Sequence, residues 1–305
     1  RQMCIRDRAI REQERVTLVT TFDALMNTMA PIEKMWENVL TLEQGQLLDL
    51  KEIQAALIRM GYEKEYQVQT MGQFSVRGGI LDVFPLTEEN PIRIELWGDE
   101  IDTIRYFDCE SQKSIENIDR VSIYPAAELV LSDEEKAGGI DKLKAEAKRV
   151  SDKLRKQMKT EEAHRVTVMA DELTEEWGEL SMYAGMDAFL SYFFDERVGI
   201  LDYFNPSDSL IFFDELTRCT EQGKLTETEF SESMKQRLAM GYILPGQMNG
   251  LFTEKEIVAK LGKYSCIALA ALDNKANGLH QLGSYGIHCQ SVSPYNNLSL
   301  IHISE

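Results

Sequence analysis

Three features that mark membrane proteins, nucleotide-binding enzymes and metal proteins are missing from this sequence. No apolar run reaches the length of a membrane-spanning helix, and we predict a cytoplasmic protein. The phosphate-binding pattern GxxxxGK followed by Ser or Thr does not occur, so we expect no cofactor and no catalytic residue in this chain. The five cysteines form no CxxC pair and show no ligand spacing with the four histidines, which predicts free thiols and no metal site. The cysteines are Cys4, Cys109, Cys219, Cys266 and Cys289.

Positive charge is also scarce. The 305 residues include 51 acids and 33 bases, which gives a net charge of -18. Nucleic-acid affinity rests on Lys and Arg side chains that neutralise phosphates, so this balance argues against a general DNA- or RNA-binding protein. Residues 142–159 form a basic run. Alternating charge signs favour a solvated helix there, and a nucleic-acid-binding face is the alternative.

The chain is long enough for two domains with cores of their own, and 43% of its residues are hydrophobic. From residue 73 to residue 124, short alternating runs are separated by Gly, Asp, Asn and Pro, which predicts an antiparallel sheet of consecutive strands. An amphipathic helix, Leu48–Met60, stopped by Gly61, and a strand at Glu37–Leu42 complete a predicted α+β domain. The predicted sheet strands are Gln73–Arg77, Ile80–Phe84, Ile92–Trp97, Ile101–Phe107 and Arg120–Tyr124.

Three side chains of this predicted sheet are candidates for a protein-binding patch. Arg77 and Arg93 each lie within a strand, and Trp97 closes a strand just before a turn. Arg and Trp are enriched among the residues that dominate binding energy at protein interfaces. The alternative is that the arginines are ordinary solvated sheet residues and that Trp97 is partly core. Asp82 lies among apolar neighbours, where a carboxylate needs a partner, and we expect it to bind Arg77, Arg93 or a backbone amide.

The remaining sequence predicts helices and parallel strands. Ser132 and Glu135 form a capping box before a long charged helix, and Leu173–Phe194 has the apolar spacing of further helix. Leu210–Glu215 has the composition of a buried parallel strand that ends in two acids. The alternation of strand and helix patterns predicts an α/β domain with a parallel sheet. The other segments with such patterns are Arg15–Thr20, Phe22–Met29, Phe230–Tyr242, Glu254–Leu261, Tyr264–Leu269 and Gly286–Gln290.

Residues 72–123 contain the segments FSVRGGILDVFP, PIRIELWGDEIDTIRYFD and SQKSIE. This stretch resembles the UvrA-binding domain that UvrB shares with the transcription-repair coupling factors, and FDCESQKSIENI and YPAAE favour the coupling factors over UvrB. TTFDALMNTMAP resembles the end of a first helicase-like subdomain, and LIFFDELTR resembles a remnant Walker B strand. The implied fold class is α/β plus α+β. In it, remnant helicase-like parallel-sheet subdomains of the P-loop NTPase type flank an inserted antiparallel-sheet domain.

The resemblance also implies domain boundaries. RQMCIRDR and SLIHISE at the two ends resemble translated sequencing-adapter reads, and we expect residues 1–8 and 299–305 to be artefacts. The chain would then be an internal fragment of a longer protein. The implied units are residues 9–36 as the end of the first helicase-like subdomain, 37–128 as the UvrA-binding domain, and 129–298 as the second, degenerate helicase-like subdomain.

The function implied by the resemblance is recruitment of UvrA to stalled RNA polymerase in transcription-coupled nucleotide excision repair. Carrying the family's contacts over by position implies that Arg77, Arg93 and Trp97 bind UvrA. ATP, magnesium, double-stranded DNA and RNA polymerase would bind other parts of a parent ATP-driven translocase, and Asp214 and Glu215 would be inactive Walker B relics. Two alternatives stay open: a fragment of a UvrB-like ATP-dependent helicase subunit whose P-loop lies upstream, and a stand-alone structural or nucleic-acid-binding module.

Overall fold

The computed structural model describes residues 2–12, 15–127, 129–179, 185–271 and 279–287. This part of the chain mixes helices with one mainly antiparallel sheet, a pair of antiparallel strands and a pair of parallel strands. Within it, Cys109, Cys219 and Cys266 are free, as predicted. Predictions that concern Cys289, His288 and residues 299–305 lie outside the described residues.

Three short helices precede the first strand. They are α1 (Gln2–Arg11), α2 (Phe22–Met26) and α3 (Ile32–Glu37). The predicted helix at Phe22 begins where the Thr21 hydroxyl accepts a hydrogen bond from the Ala24 amide at 3.3 Å. The predicted strand Arg15–Thr20 is wrong, since these residues form no ladder with a described strand. Strand propensity produces a strand only where a neighbour takes up the backbone hydrogen bonds. The adapter hypothesis for residues 1–8 stays a prediction.

The central domain is built on one six-stranded sheet, in which the strands follow each other in sequence order. The strands of this region are β1 (Leu40–Glu43), β2 (Glu63–Lys64), β3 (Gln73–Arg77), β4 (Ile80–Val83), β5 (Ile92–Trp97), β6 (Glu100–Phe107), β7 (Ser114–Ile118) and β8 (Arg120–Ile123). Strands β3 to β7 are antiparallel neighbours, as predicted for β3 to β6, and β2 runs parallel to β3 at one edge.

The last predicted strand forms but pairs elsewhere. β8 pairs with β1, not with the six-stranded sheet. The strand that closes the sheet is β7, which the sequence pattern missed. Its residues are mostly exposed on both faces, so no apolar alternation marks it.

Glycines make the two hairpin turns beside the candidate patch. Gly78 joins β3 to β4 with φ +60°, and Gly98 joins β5 to β6 with φ +64°. Tight hairpins need positive φ at their central residues, and glycine adopts it without a steric penalty. The predicted turn positions are therefore confirmed.

One helix, α4 (Leu50–Arg59), packs on the apolar face of the sheet. It begins where the Asp49 carboxylate accepts the Lys51 amide at 2.7 Å, and the chain leaves it at Gly61 with φ +88°. Fully buried Leu57 joins the core formed with the sheet and with β1 and β8. The main members of this core are Leu42, Leu57, Tyr62, Phe74, Leu81, Ile92, Ile94, Ile104 and Ile123.

A helical layer follows the sheet domain. α5 (Asp133–Lys156) begins with the predicted capping box of Ser132 and Glu135 and packs against α6 (Thr160–Glu179). The predicted helix Leu173–Phe194 is interrupted: a 3-10 turn at Met186–Phe189 leads into the single turn of α7 (Leu190–Phe193). The aromatic residues of this segment lie in the core, with Trp177 and Phe189 5.1 Å apart between ring centroids.

Helix α2 packs against elements late in the chain. The elements there are β9 (Leu210–Asp214), α8 (Leu216–Ala239), α9 (Glu254–Leu261) and β10 (Ser265–Leu269). Phe22 and Met26 share one buried cluster with Leu216, Phe252 and Leu261. The sheet domain is therefore inserted, in sequence, between two segments that share a core.

β9 and β10 are parallel, but the prediction of a buried strand at β9 is wrong. Phe213 alone of its five residues is buried, and Phe212 is 61% exposed. A strand becomes buried on both faces only when layers cover both, and here one side packs on the core. Gly286 and Ile287 are in no strand, and the rest of that predicted strand lies outside the described residues. No described helix has the length and apolar character needed to cross a bilayer.

Candidate functional site

The candidate patch lies on the polar face of the six-stranded sheet. Side chains of a strand alternate between the two faces, and residues paired across strands share a face. Phe74, Leu81 and Ile94 point into the core, so their neighbours along each strand point away from it. The register aligns one row of this second face, which we call the polar face: Ser75, Asp82, Arg93, Arg105 and Asn117.

A buried carboxylate ties the two predicted arginines together. The Asp82 side chain is 1% exposed, and its oxygens accept hydrogen bonds from Arg93 Nε at 2.6 Å, Arg93 Nη2 at 2.8 Å and Arg77 Nη2 at 2.9 Å. The prediction that Asp82 binds Arg77 or Arg93 is confirmed, and it binds both. Two guanidinium groups compensate a charge that burial alone would make costly.

Arg93 is fixed more tightly than Arg77. Its Nη2 also donates to Gln112 Oε1 at 2.8 Å, and its guanidinium carbon lies 4.4 Å from the centroid of the Phe107 ring. The hydrogen bond to Asp82 raises the pKa of Arg93, so it stays charged. Its side chain is 13% exposed, against 38% for Arg77. Arg77 therefore has far more surface to offer a partner.

A second ion pair on the polar face escaped the sequence analysis. Arg105 donates to both carboxylate oxygens of Glu95, and the Thr103 hydroxyl donates to the same carboxylate at 3.3 Å. The hydrogen bond from Arg105 lowers the pKa of Glu95. The alternation of β6 could have indicated that Arg105 lies on the polar face. In the structure the register sets it opposite Arg93. The two clusters together thus hold three arginines and two carboxylates, in a domain where acids outnumber bases about two to one.

Trp97 lies at the end of β5 and is 85% exposed. This placement contradicts the alternative in which Trp97 is partly core. It is four residues from Arg93 on the same side of β5, a distance of about 13 Å along the strand. The structure therefore brings Arg77 and Arg93 together on Asp82 and sets Trp97 apart from them, on the same face.

Asp214 and Glu215 lie elsewhere, at the end of β9. Glu215 has φ +56°, its amide donates to the Leu269 carbonyl at 2.8 Å, and its carboxylate accepts from the Ala271 amide at 2.8 Å. The Glu215 side chain thus ties the end of β9 to the segment just after β10. Among the described residues, no group of three or more His, Cys, Asp and Glu side chains has an arrangement that would hold a metal ion.

The sheet domain is similar to a known domain family. Residues 40–129 match the model of the UvrB interaction domain. The transcription-repair-coupling factor of Bacillus subtilis (strain 168) is 32% identical over 227 residues, which are 74% of this chain and 19% of that protein. The protein of the same name from Staphylococcus aureus (strain MRSA252) is 30% identical over 247 residues, 78% of this chain and 20% of that protein. The chain spans about a fifth of the length of these relatives. It is thus a relative of the transcription-repair-coupling factors, corresponding to their N-terminal region with its UvrB interaction domain.

Proposed function

We propose that this chain docks UvrA through the polar face of its sheet and so recruits UvrA in transcription-coupled nucleotide excision repair. The observation that carries the proposal is the exposure of Trp97 on the same face as Arg77. A large indole held in water is costly for a free protein and is typical of an interface anchor. The relation to the transcription-repair-coupling factors supports UvrA as the partner.

The geometry supports different roles for the three proposed contacts. Arg77 and Trp97 have exposed surface for direct contact, and Arg93 has little. We propose that Arg93 mainly holds Asp82, which in turn holds the Arg77 guanidinium at the surface. Arg77 would then meet a carboxylate of UvrA, and Trp97 would fill an apolar site on it. Truncating one partner of such a buried charge pair costs about 2–5 kcal/mol of binding energy.

Other partners belong to the longer protein that the relatives represent. We propose that RNA polymerase, double-stranded DNA, ATP and magnesium bind parts of that protein beyond this chain, and that this chain acts in the cytoplasm. The shared core of α2, α8 and α9 and the parallel pair β9–β10 support a helicase-like subdomain interrupted by the sheet domain. Asp214 and Glu215 would be its structural remnants, since the Glu215 carboxylate already caps a backbone amide.

Binding of purified bacterial UvrA to the full chain tests the proposal. Isothermal titration calorimetry on wild type and Trp97→Ala should show a dissociation constant about tenfold or more weaker for the variant. Tyr66→Ala is the matched control, because Tyr66 is an equally exposed aromatic residue, at 83%, in the loop before β3. Equal binding by wild type and Trp97→Ala, or no binding by folded wild type, would overturn the proposal.

A further inference from the structure

A second exposed apolar side chain stands in line with Trp97. The register pairs Trp97 with Glu100 across the β5–β6 hairpin, and Glu100 pairs in turn with Leu47 on its other side. Paired residues of adjacent strands share a face. Leu47, Glu100 and Trp97 therefore form one outward row at the end of the sheet, which we call the Trp97 row.

The backbone beneath the Trp97 row is well fixed. The Gly45 amide donates to the Ile101 carbonyl at 2.8 Å, the Ile101 amide to the Gln46 carbonyl at 2.9 Å, and the Leu48 amide to the Asp99 carbonyl at 2.7 Å. Leu48 and Ile101 are buried, which turns their neighbours Leu47 and Glu100 outward. The row is a preorganised surface, and a partner would not have to order it on binding.

The composition of the Trp97 row is unusual for a free surface. Leu47 is 74% exposed, and with Trp97 it places a large apolar side chain on each side of Glu100. The described residues give Glu100 no ion-pair partner. Single exposed apolar residues are common, but two that flank an unpaired carboxylate form a site with both an apolar and an ionic component.

An open groove of ≈ 600 Å³ adjoins the row. Trp97 and Glu100 are among its lining residues, together with three more acids: Glu43, Asp102 and Asp119. Arg120 also lines the groove, and its Nε lies 3.2 Å from a Glu43 oxygen, so that base is already paired. The groove carries an excess of negative charge beside an exposed indole, and this combination favours a cation.

We propose that the Trp97 row and its groove receive a Lys or Arg side chain of UvrA, with Leu47 as a second apolar anchor. This inference rests on the proposed function. The aliphatic stem of the partner's side chain would pack between Leu47 and Trp97, and its cation would meet Glu100 and the indole face. Arg77 lies near this site on the same face, because the register sets it level with Glu95, two residues before Trp97. The partner would therefore meet a basic group and an acidic groove on neighbouring strands, and this arrangement would set its orientation.

Two substitutions in the full chain test the inference, with UvrA as the probe. Leu47→Ala should weaken the dissociation constant by about fivefold to tenfold, and Glu100→Lys by more than about tenfold. Ile58→Ala is the apolar control, because Ile58 lies on α4, on the other side of the sheet. Glu63→Lys is the charge control, because Glu63 lies exposed on the far edge strand β2. Both controls should bind within about threefold of wild type, the scale of a surface substitution far from the contact.

The salt dependence adds a readout that a loss of packing would not change. Wild-type affinity should fall with increasing ionic strength, and Glu100→Gln should flatten that dependence. If Leu47→Ala and Glu100→Lys both bind like wild type while Trp97→Ala is impaired, this inference is wrong and the proposed function stands. If folded wild type does not bind UvrA, both are overturned.

Discussion

Two sheets of this molecule each leave one face exposed, and the two faces are chemically opposite. The polar face of the central sheet carries arginines and carboxylates that pair with one another around a buried Asp82. The parallel pair β9–β10 instead exposes apolar side chains, with Phe212 directly opposite Ile267. A face whose charges are internally paired is stable in water and can still contribute to a specific interface. An exposed apolar face is stable only when something covers it.

Exposure alone does not identify a docking site. On the polar face, exposure is selective: Trp97, Leu47 and Arg77 stand out from a network that is otherwise half-buried. On β9 and β10 it is general, because Leu210, Phe212, Ile267 and Leu269 are all exposed. We interpret the first pattern as recognition of a partner and the second as a surface that packs in a larger fold.

The largest effect is expected from breaking the charge network at its centre. Asp82→Ala leaves the poorly exposed Arg93 without its carboxylate, and we expect the sheet domain to lose about 3–5 kcal/mol of stability. Urea unfolding followed by circular dichroism measures it. The stability of Asp82→Asn should lie between those of Asp82→Ala and wild type, since asparagine keeps a hydrogen-bond acceptor without the charge. A change below about 1 kcal/mol in Asp82→Ala would mean that the network is not what stabilises this face.

The next largest effect should distinguish Arg93 from Arg77. Arg93→Ala should lower stability by about 2–3 kcal/mol because it removes two hydrogen bonds to Asp82 and one to Gln112. Arg77→Ala should cost about 1 kcal/mol of stability or less, because it removes one hydrogen bond from a more exposed side chain. In UvrA binding the order should reverse. Relative to the stability that each variant loses, Arg77→Ala should lose more affinity than Arg93→Ala. Equal effects of the two variants in both assays would contradict the different roles proposed for them.

A smaller effect is expected at the apolar face. We expect the full chain to self-associate through β9 and β10, and Phe212→Lys to weaken that association about tenfold, as measured by sedimentation velocity. The matched variant is Trp97→Lys, which places the same charge on the other exposed face. Self-association that responds to Trp97→Lys and not to Phe212→Lys would reverse the assignment of the two faces.

The smallest effect is a pH dependence of the Glu95–Arg105 pair. Arg105 lowers the native pKa of Glu95, so the stabilisation is fully present above the ordinary glutamate pKa of about 4.3 and is lost as the pH falls through the lowered value. Glu95→Gln should therefore be less stable than wild type by about 0.5–1 kcal/mol at neutral pH and should approach it near pH 3. Glu63→Gln, on the exposed edge strand, should show no such pH dependence. A difference that grows as the pH falls would contradict this sign.

Much of the fold could be predicted because local signals agree with it. Alternation and glycine turns mark β3 to β6, the apolar spacing marks α4, and the capping box of Ser132 and Glu135 marks the start of α5. The errors arise where the tertiary context decides. Arg15–Thr20 has strand propensity without a partner strand, and β9 has the composition of a buried strand but only one covered face.

The sequence pattern indicates which residues make up the candidate site but not what each of them contacts. The sequence places Arg77, Arg93 and Trp97 in one sheet, but it does not show that Asp82 holds both arginines or that Gln112 and Phe107 enclose one of them. Those contacts join residues five to nineteen positions apart through strand register and the loop after β6. No sequence pattern indicates Leu47 as a site residue, because its place beside Glu100 depends on a bridge between two turns.

Amide hydrogen exchange of the full chain with and without UvrA tests the proposed docking surface most directly. The proposed docking predicts slower exchange in the turns that border the polar face, at residues 44–48, 77–80 and 97–101, with no change at 210–214 and 265–269. Protection confined to the β9–β10 strands, or no protection under conditions where UvrA is bound, would contradict the claim that the polar face is the docking surface.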